Sequence, residues 1–144
     1  MKRKIFPPVY CGFFFTAAVL APVLAEITPT AGMKPVANAH VTLGFHRDFQ
    51  TTTLAAFIDA NYTEGETREI AVSGYAFDDK CIALRVATPL VCVPATKIRH
   101  VTLYLARGVQ PVYSNILLQD PEATTVAFEA PIVLEGTFKV IRSK

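Results

Sequence analysis

Short segments in which apolar and polar residues alternate run through most of this chain, and they restrict the fold more than any other feature. Val41, Leu43 and Phe45, for example, are separated by polar or small residues, which is the period of a half-buried strand. Thr, Val, Ile, Tyr and Phe dominate these segments, and such residues favour a pleated surface. After the segment around Val41, the pattern predicts further strands at 69–77, 81–88, 98–106, 112–118, 125–130 and 132–141.

This pattern predicts an all-β fold. Short strands with turns every 8 to 12 residues or so indicate an antiparallel β-sandwich of immunoglobulin-like layered architecture, with a small β-barrel as the alternative. Residues 51–60 are the ambiguous segment, because their Thr-rich start suits a strand and the run Leu54–Ile58 suits a short helix. The chain contains no Trp, so the immunoglobulin-like label describes only the packing of two layers.

The first 25 residues have the layout of a secretory signal peptide. A cationic start at Lys2–Lys4 precedes an apolar run over about 9–20, and the small residues Val23 and Ala25 occupy the two positions that signal peptidase reads. Cleavage is therefore expected after Ala25. We expect the product to be periplasmic or secreted.

The cleavage site also sets the expected domain organisation. It leaves an extended lead-in over 26–37, which contains several Pro, Gly and Thr residues, and a single β domain over 38–144. No later stretch approaches the roughly 20 apolar residues that a transmembrane helix requires. We therefore expect no transmembrane segment after signal cleavage.

The charge balance changes with that cleavage. The whole chain carries 14 basic and 12 acidic residues, and removing the three basic residues at positions 2–4 leaves 11 basic and 12 acidic ones. A nearly neutral domain with scattered cations lacks the basic stripe typical of proteins that bind nucleic acid. We therefore expect no nucleic-acid partner.

Two cysteines, Cys81 and Cys92, would remain after cleavage. A single pair in an exported protein predicts an intramolecular disulfide bond. The alternatives are a redox-active pair or two zinc ligands. Both fit the spacing poorly, because redox pairs usually read C-x-x-C and a structural zinc site needs two further ligands nearby.

The polar residues give no recognisable catalytic set. His40, His46 and His100 show no spacing such as H-E-x-x-H, and about 20 Å of extended chain separates the first two. We interpret all three as solvated or hydrogen-bonding side chains. Ser73 lacks the first glycine of a G-x-S-x-G elbow. The sequence thus predicts no catalytic residue, no metal ligand and no cofactor.

The remaining candidate site is a surface formed by His100, Tyr104 and Tyr113, which lie on predicted strands either side of a turn at Arg107-Gly108. An exposed aromatic patch of this kind would suit a protein partner. The alternative is that one or both tyrosines cap the edge of the core, with the ring buried and the hydroxyl in water.

Three classes of function follow. The favoured one is a non-catalytic, exported envelope protein that acts as an interaction or binding module, for example an inhibitor or immunity factor, with another exported or envelope protein as its partner. The second is a structural subunit or assembly factor that pairs or self-associates through edge strands. The third is a small hydrolase or metalloenzyme, whose cleft would hold at least two residues of a set made up of His40, His46, His100, Glu129 and Glu135.

Overall fold

The antiparallel strands of this protein close into a barrel. The computed structural model describes residues 6–143, which contain the strands β1 (Pro8–Phe14), β2 (Lys34–Pro35), β3 (His40–Phe45), β4 (Thr67–Phe77), β5 (Cys81–Val86), β6 (His100–Leu105) and β7 (Thr124–Arg142). The order β6-β3-β1-β7-β4-β5 is hydrogen-bonded throughout, and β5 pairs back onto β6. The fold is therefore mostly β and is the small barrel rather than the sandwich, with β2 as an extra strand beside β6.

The barrel interior is filled by the alternate side chains of these strands. Phe13 and Phe138 meet edge to face near its middle, with ring centroids 5.5 Å apart. Both are fully buried, as are Leu43, Ile70, Leu84 and Leu134. Each fully buried side chain of this size stabilises the fold by roughly 1.5–3 kcal/mol.

The segment that was ambiguous in the sequence forms a helix, α2 (Leu54–Asn61), so the strand predicted at 51–60 is wrong. The helix begins where the Thr53 hydroxyl accepts a hydrogen bond from the backbone N–H of Ala56, at 3.1 Å, which is a typical N-cap. Leu54, Phe57 and Ile58 are buried against the barrel. Their spacing of three and four residues is helical and decides against a strand.

The segment 112–118 is also helical. It forms most of α3 (Tyr113–Gln119), which packs on the outside of β5. Ser114, Leu117 and Leu118 are its buried residues, and their spacing again follows a helix. The strand prediction failed here because a short apolar run has no period long enough to distinguish the two structures.

The two strands predicted at 125–130 and 132–141 are one strand, β7. Its register against β4 shifts between the pair Val72–Ile132 and the pair Gly74–Ala127, so residues of β7 bulge outward around Pro131. A proline has no N–H to donate, and a bulge tolerates it. The proline therefore bends the strand without ending it.

The apolar run near the N-terminus forms part of the barrel. β1 pairs with β3 on one side and β7 on the other, and helix α1 (Ala17–Leu24) follows with Leu20 and Val23 buried. The cationic start at 2–4 lies outside the described residues. Cleavage after Ala25, with the domain boundaries that depend on it, stays a prediction. In the part of the chain that the structure describes, no helix has the length and apolar character to cross a membrane.

The predicted disulfide is wrong, because Cys81 and Cys92 are both free and buried. Cys81 pairs with Leu105 at one end of β6. Cys92 receives a hydrogen bond from Arg99, just before the other end of β6. Six residues of extended chain span about 20 Å, whereas a disulfide requires Cα atoms within about 7 Å of each other.

Candidate active site

The site lies where β3 and β6 run side by side. Val41 pairs with Val101 across the two antiparallel strands, and both valines are fully buried in the barrel. Because side chains alternate along a strand, the residues on either side of each valine point outward. Each strand therefore presents two outward side chains at the same level of the barrel.

Those four side chains are His40 and Thr42 from β3, and His100 and Thr102 from β6. The valine register sets His40 across from Thr102 and Thr42 across from His100. Directly opposed residues in such a pair have Cβ atoms about 5 Å apart. The two histidines thus lie on a diagonal of one small polar rectangle, related by an approximate twofold axis.

The rectangle forms the floor of a cleft of about 620 Å³. The cleft has a basic and an acidic residue in its wall, Lys97 and Asp48, and is otherwise mainly apolar. It is lined by Tyr10, Val36, Ala37, His40, Thr42, Phe45, Asp48, Lys97, His100, Thr102, Pro111, Val112 and Asn115.

Each histidine is fixed by the backbone two residues before it. Nδ1 of His40 lies 2.9 Å from the carbonyl oxygen of Asn38, and Nδ1 of His100 lies 3.0 Å from that of Ile98. A carbonyl only accepts, so Nδ1 carries the hydrogen and donates it. In the neutral ring the lone pair is then on Nε2, which is therefore the atom that can take up or give a proton.

Burial favours the neutral form of both rings in the free protein. It lowers the pKa of His40 below its usual value, although the hydrogen bond to Asn38 opposes this, and the charge of Lys97 lowers it further. Burial likewise lowers the pKa of His100, with additional lowering from Lys97 and His40. An anion in the cleft would oppose this effect, since a nearby negative charge favours the imidazolium.

The ring of His40 also rests on aromatic side chains of β1. Phe14 is its direct partner across the strands, and their ring centroids are 4.5 Å apart at an interplanar angle of 19°. Tyr10 stacks on the same ring at 5.2 Å. Two residues of the predicted signal segment therefore build this side of the site.

The structure separates the three residues of the predicted interaction surface. His100 lies in the cleft. A register shift where β6 meets Ile82 and Ala83 turns Tyr104 to the opposite face, where it packs against the main core. Tyr113 begins α3 and donates a hydrogen bond to the Asp78 carboxylate. The three residues do not share one face.

The other candidate residues lie away from the cleft. His46 is exposed in a short 3-10 turn after β3. Glu129 and Glu135 are exposed on β7, and Glu135 pairs with Glu69 of β4. None of them lines the cleft. Within residues 6–143, no group of three or more His, Cys, Asp or Glu side chains could hold a metal ion.

The third class of function considered from the sequence names His40 and His100 among the residues of its cleft, but the signal that pairs them went unused. The tetrapeptide His-Val-Thr-Leu occurs twice, at 40–43 and at 100–103. Each copy alone reads as an ordinary strand. A search for short exact repeats would have found the pair and suggested that two equivalent strands contribute the same residues to one place.

No protein-family model matches the chain, and no curated protein matches it. Among solved structures, the chain is similar to the crystal structure of a fungal RNA kinase, with a TM-score of 0.66 and 15% sequence identity. The alignment covers 99% of this chain and 47% of the kinase chain. The chain thus spans about half the length of that protein and shares its fold over this part.

This likeness overturns three of our sequence-based interpretations. The fold is shared with an RNA-acting enzyme, so the non-catalytic envelope module, with its assembly-factor alternative, is wrong. The same likeness contradicts the expectation that the protein is not an enzyme. It also contradicts the expectation of an exported protein partner with no nucleic acid. Secretion is not supported by these findings and stays a prediction.

Proposed function

We propose that this protein is a phosphodiesterase that opens a 2′,3′-cyclic phosphate at the end of an RNA. The observation that carries the proposal is the pairing of the two His-Val-Thr-Leu segments, which brings two imidazoles and two hydroxyls to one cleft. Hydrolysis of a phosphodiester needs one group to deprotonate water and another to protonate the leaving oxygen. Histidines serve as general base and general acid near neutral pH.

The phosphate would lie between the two histidines. The hydroxyls of Thr42 and Thr102 can each donate a hydrogen bond to a non-bridging phosphate oxygen. The ammonium of Lys97, in the wall of the cleft, neutralises the anion. Hydrogen bonds to a charged oxygen are stronger than neutral ones, so these donors orient the phosphorus toward both Nε2 atoms.

The surroundings of the two rings assign their roles. Aromatic faces stabilise a cation, and the stacked rings of Phe14 and Tyr10 favour protonated His40. Burial is the main cause that lowers the pKa of His100, and a ring that starts neutral suits a general base. We therefore assign His40 as the general acid and His100 as the general base.

The reaction balances with these two groups alone. Nε2 of His100 takes a proton from water as the water oxygen forms a bond to phosphorus. The bond from phosphorus to one ribose oxygen breaks, and Nε2–H of the His40 imidazolium gives its proton to that oxygen. The product is a ribose monophosphate ester with the neighbouring hydroxyl free, and exchange with solvent restores both rings.

The size of the cleft and the fold neighbour together support this substrate. A cleft of about 620 Å³ is in the range of small-ligand sites, so it suits one nucleotide. The fold neighbour acts on RNA. RNA differs from DNA by its 2′-hydroxyl, which is the group that forms a cyclic phosphodiester within a single terminal nucleotide.

Kinase activity is not carried over from the neighbour. Kinases and other nucleotide-dependent phosphotransferases hold the phosphates of their donor with a glycine-rich loop. The seven glycines of this chain are dispersed, and none forms such a motif before a helix. The site therefore supports cleavage of a phosphate ester rather than transfer from a nucleoside triphosphate.

The test is hydrolysis of nucleoside 2′,3′-cyclic phosphates by the full chain, with the products separated by chromatography. We expect turnover by the wild type and a loss of about 10²–10⁴-fold in kcat for His40→Ala and for His100→Ala. His46→Ala is the matched control, because that histidine is exposed outside the cleft. Activity that persists in both cleft variants would refute the proposed function.

A further inference from the structure

We infer that Ser114 is a positioning residue that makes the Thr102 hydroxyl donate its hydrogen into the cleft. The inference rests on the proposed function, since it names a residue that prepares the phosphate site without touching the substrate. The inference is based on a series of buried polar contacts between β5, α3 and β6.

Three side chains make up this series of contacts. The hydroxyl oxygen of Ser114 lies 2.7 Å from Oγ1 of Thr102 and 3.2 Å from Sγ of Cys81. Ser114 and Cys81 are fully buried, and Thr102 is 8% exposed. The contacts thus run from the buried outer surface of β5, through α3, to the floor of the cleft.

The helix that carries Ser114 is firmly placed. Leu117 and Leu118 pack with Cys81 in a separate apolar cluster between α3 and β5. At the start of the helix, the Tyr113 hydroxyl donates to the Asp78 carboxylate. Groups held on rigid elements keep the geometry of a site better than groups on mobile loops.

The hydrogens in this series of contacts have one arrangement that suits a bound anion. Each hydroxyl and the thiol has a single hydrogen to donate. If Ser114 donates to Thr102, the hydrogen of Thr102 must point elsewhere, and the cleft is the open direction. Cys81 then donates its thiol hydrogen to Ser114. Burial raises the pKa of Cys81, so the thiol keeps that hydrogen.

The opposite arrangement would disable the site. If Thr102 donated to Ser114, its oxygen would face the phosphate with lone pairs only and would repel the anion. When Ser114 donates, the Thr102 hydroxyl, which could otherwise donate in either direction, donates its hydrogen into the cleft. Thr102 touches the phosphate in the proposed site, whereas Ser114 acts through Thr102.

The experiment is a double-mutant cycle with Ser114→Ala, Thr102→Val and the two combined, measured on a nucleoside 2′,3′-cyclic phosphate. We expect Ser114→Ala to lower kcat/KM by up to about tenfold, because Thr102 keeps its hydroxyl but loses the neighbour that orients it. Most of the change should be in KM, with the pH profile of kcat retained. Combined with Thr102→Val, it should cost nothing further, because Ser114 acts only through that hydroxyl. Ile116→Ala, 63% exposed on the same helix, is the control.

The outcomes separate the two proposals. If His40→Ala abolishes turnover while Ser114→Ala leaves kcat/KM unchanged, the inference fails and the proposed function stands. Additive losses in the combined variant overturn the inference as well, since they indicate a purely structural role. If the wild type does not hydrolyse the substrate, both fail. Should Ser114→Ala not fold, Ser114→Cys supplies the same cycle with a weaker donor and a smaller expected loss.

Discussion

Removing residues 1–25, as cleavage after Ala25 would, should unfold the barrel. β1 is paired on both sides, so its loss leaves β3 and β7 with unpaired edges. The truncation also removes six buried apolar side chains, namely Cys11, Phe13, Phe14, Phe15, Leu20 and Val23. At roughly 1.5–3 kcal/mol each, these contribute on the order of 9–18 kcal/mol, as much as the whole stability of a typical domain.

The assay compares the full chain with a fragment that begins at Glu26, by circular dichroism and thermal unfolding. We expect a cooperative transition for the full chain and none for the fragment. Phe13→Ala gives a graded version, with an expected loss of about 3–5 kcal/mol in the free energy of unfolding, against Ile116→Ala as the exposed control. A fragment that unfolds cooperatively with a β-type spectrum would refute the reasoning and would make processing after Ala25 compatible with the fold.

Three further predictions concern the cysteines and the histidines. All three cysteines should be alkylated when the protein is denatured without reductant, because they are free; mass spectrometry that finds fewer adducts contradicts the structure. The free energy of unfolding should fall as the pH drops below about 6.5, because His40 and His100 have lowered pKa values in the folded state and the unfolded chain therefore binds more protons. Denaturant titrations at several pH values measure this free energy. A rise in stability on acidification contradicts the prediction. Phe14→Leu should move the alkaline limb of the pH–kcat profile to lower pH, because His40, the proposed general acid, loses an aromatic face that favours its protonated form. An unmoved limb argues against His40 as the acid.

The sequence predicted the strands well where the period of two was long. Segments such as 69–77 and 81–88 correspond closely to β4 and β5. It failed at the short helices, where an apolar run of seven or eight residues fits either structure. It also could not distinguish barrel from sandwich, because that depends on whether β5 and β6 pair, a contact between strands that a single sequence does not reveal.

Two different causes kept the sequence from assigning the candidate site, although His40 and His100 were both among the residues considered. One was the assignment of the first 25 residues to a signal peptide, which removed Tyr10 and Phe14 from consideration, although an apolar strand followed by a short helix has much the same composition. The other was distance along the chain: His40 and His100 are 60 residues apart in the sequence numbering. Only the valine pairing brings them together, and spacing rules for metal or nucleophile motifs do not detect such a pair.

The two His-Val-Thr-Leu segments explain why fold and site depend on each other. In each segment the valine and the leucine face inward and are buried, while the histidine and the threonine face the cleft. A slip of one residue in the β3–β6 register would exchange the two faces. It would bury the imidazole of the strand that slipped and expose the valine and leucine of that strand. The hydrophobic effect that fixes the barrel therefore also fixes the diagonal of histidines, so no loop is needed to bring the two histidines together. We expect a change in the packing of Val41 or Val101 to alter the proposed activity, because it would shift the positions of the two histidines in the cleft.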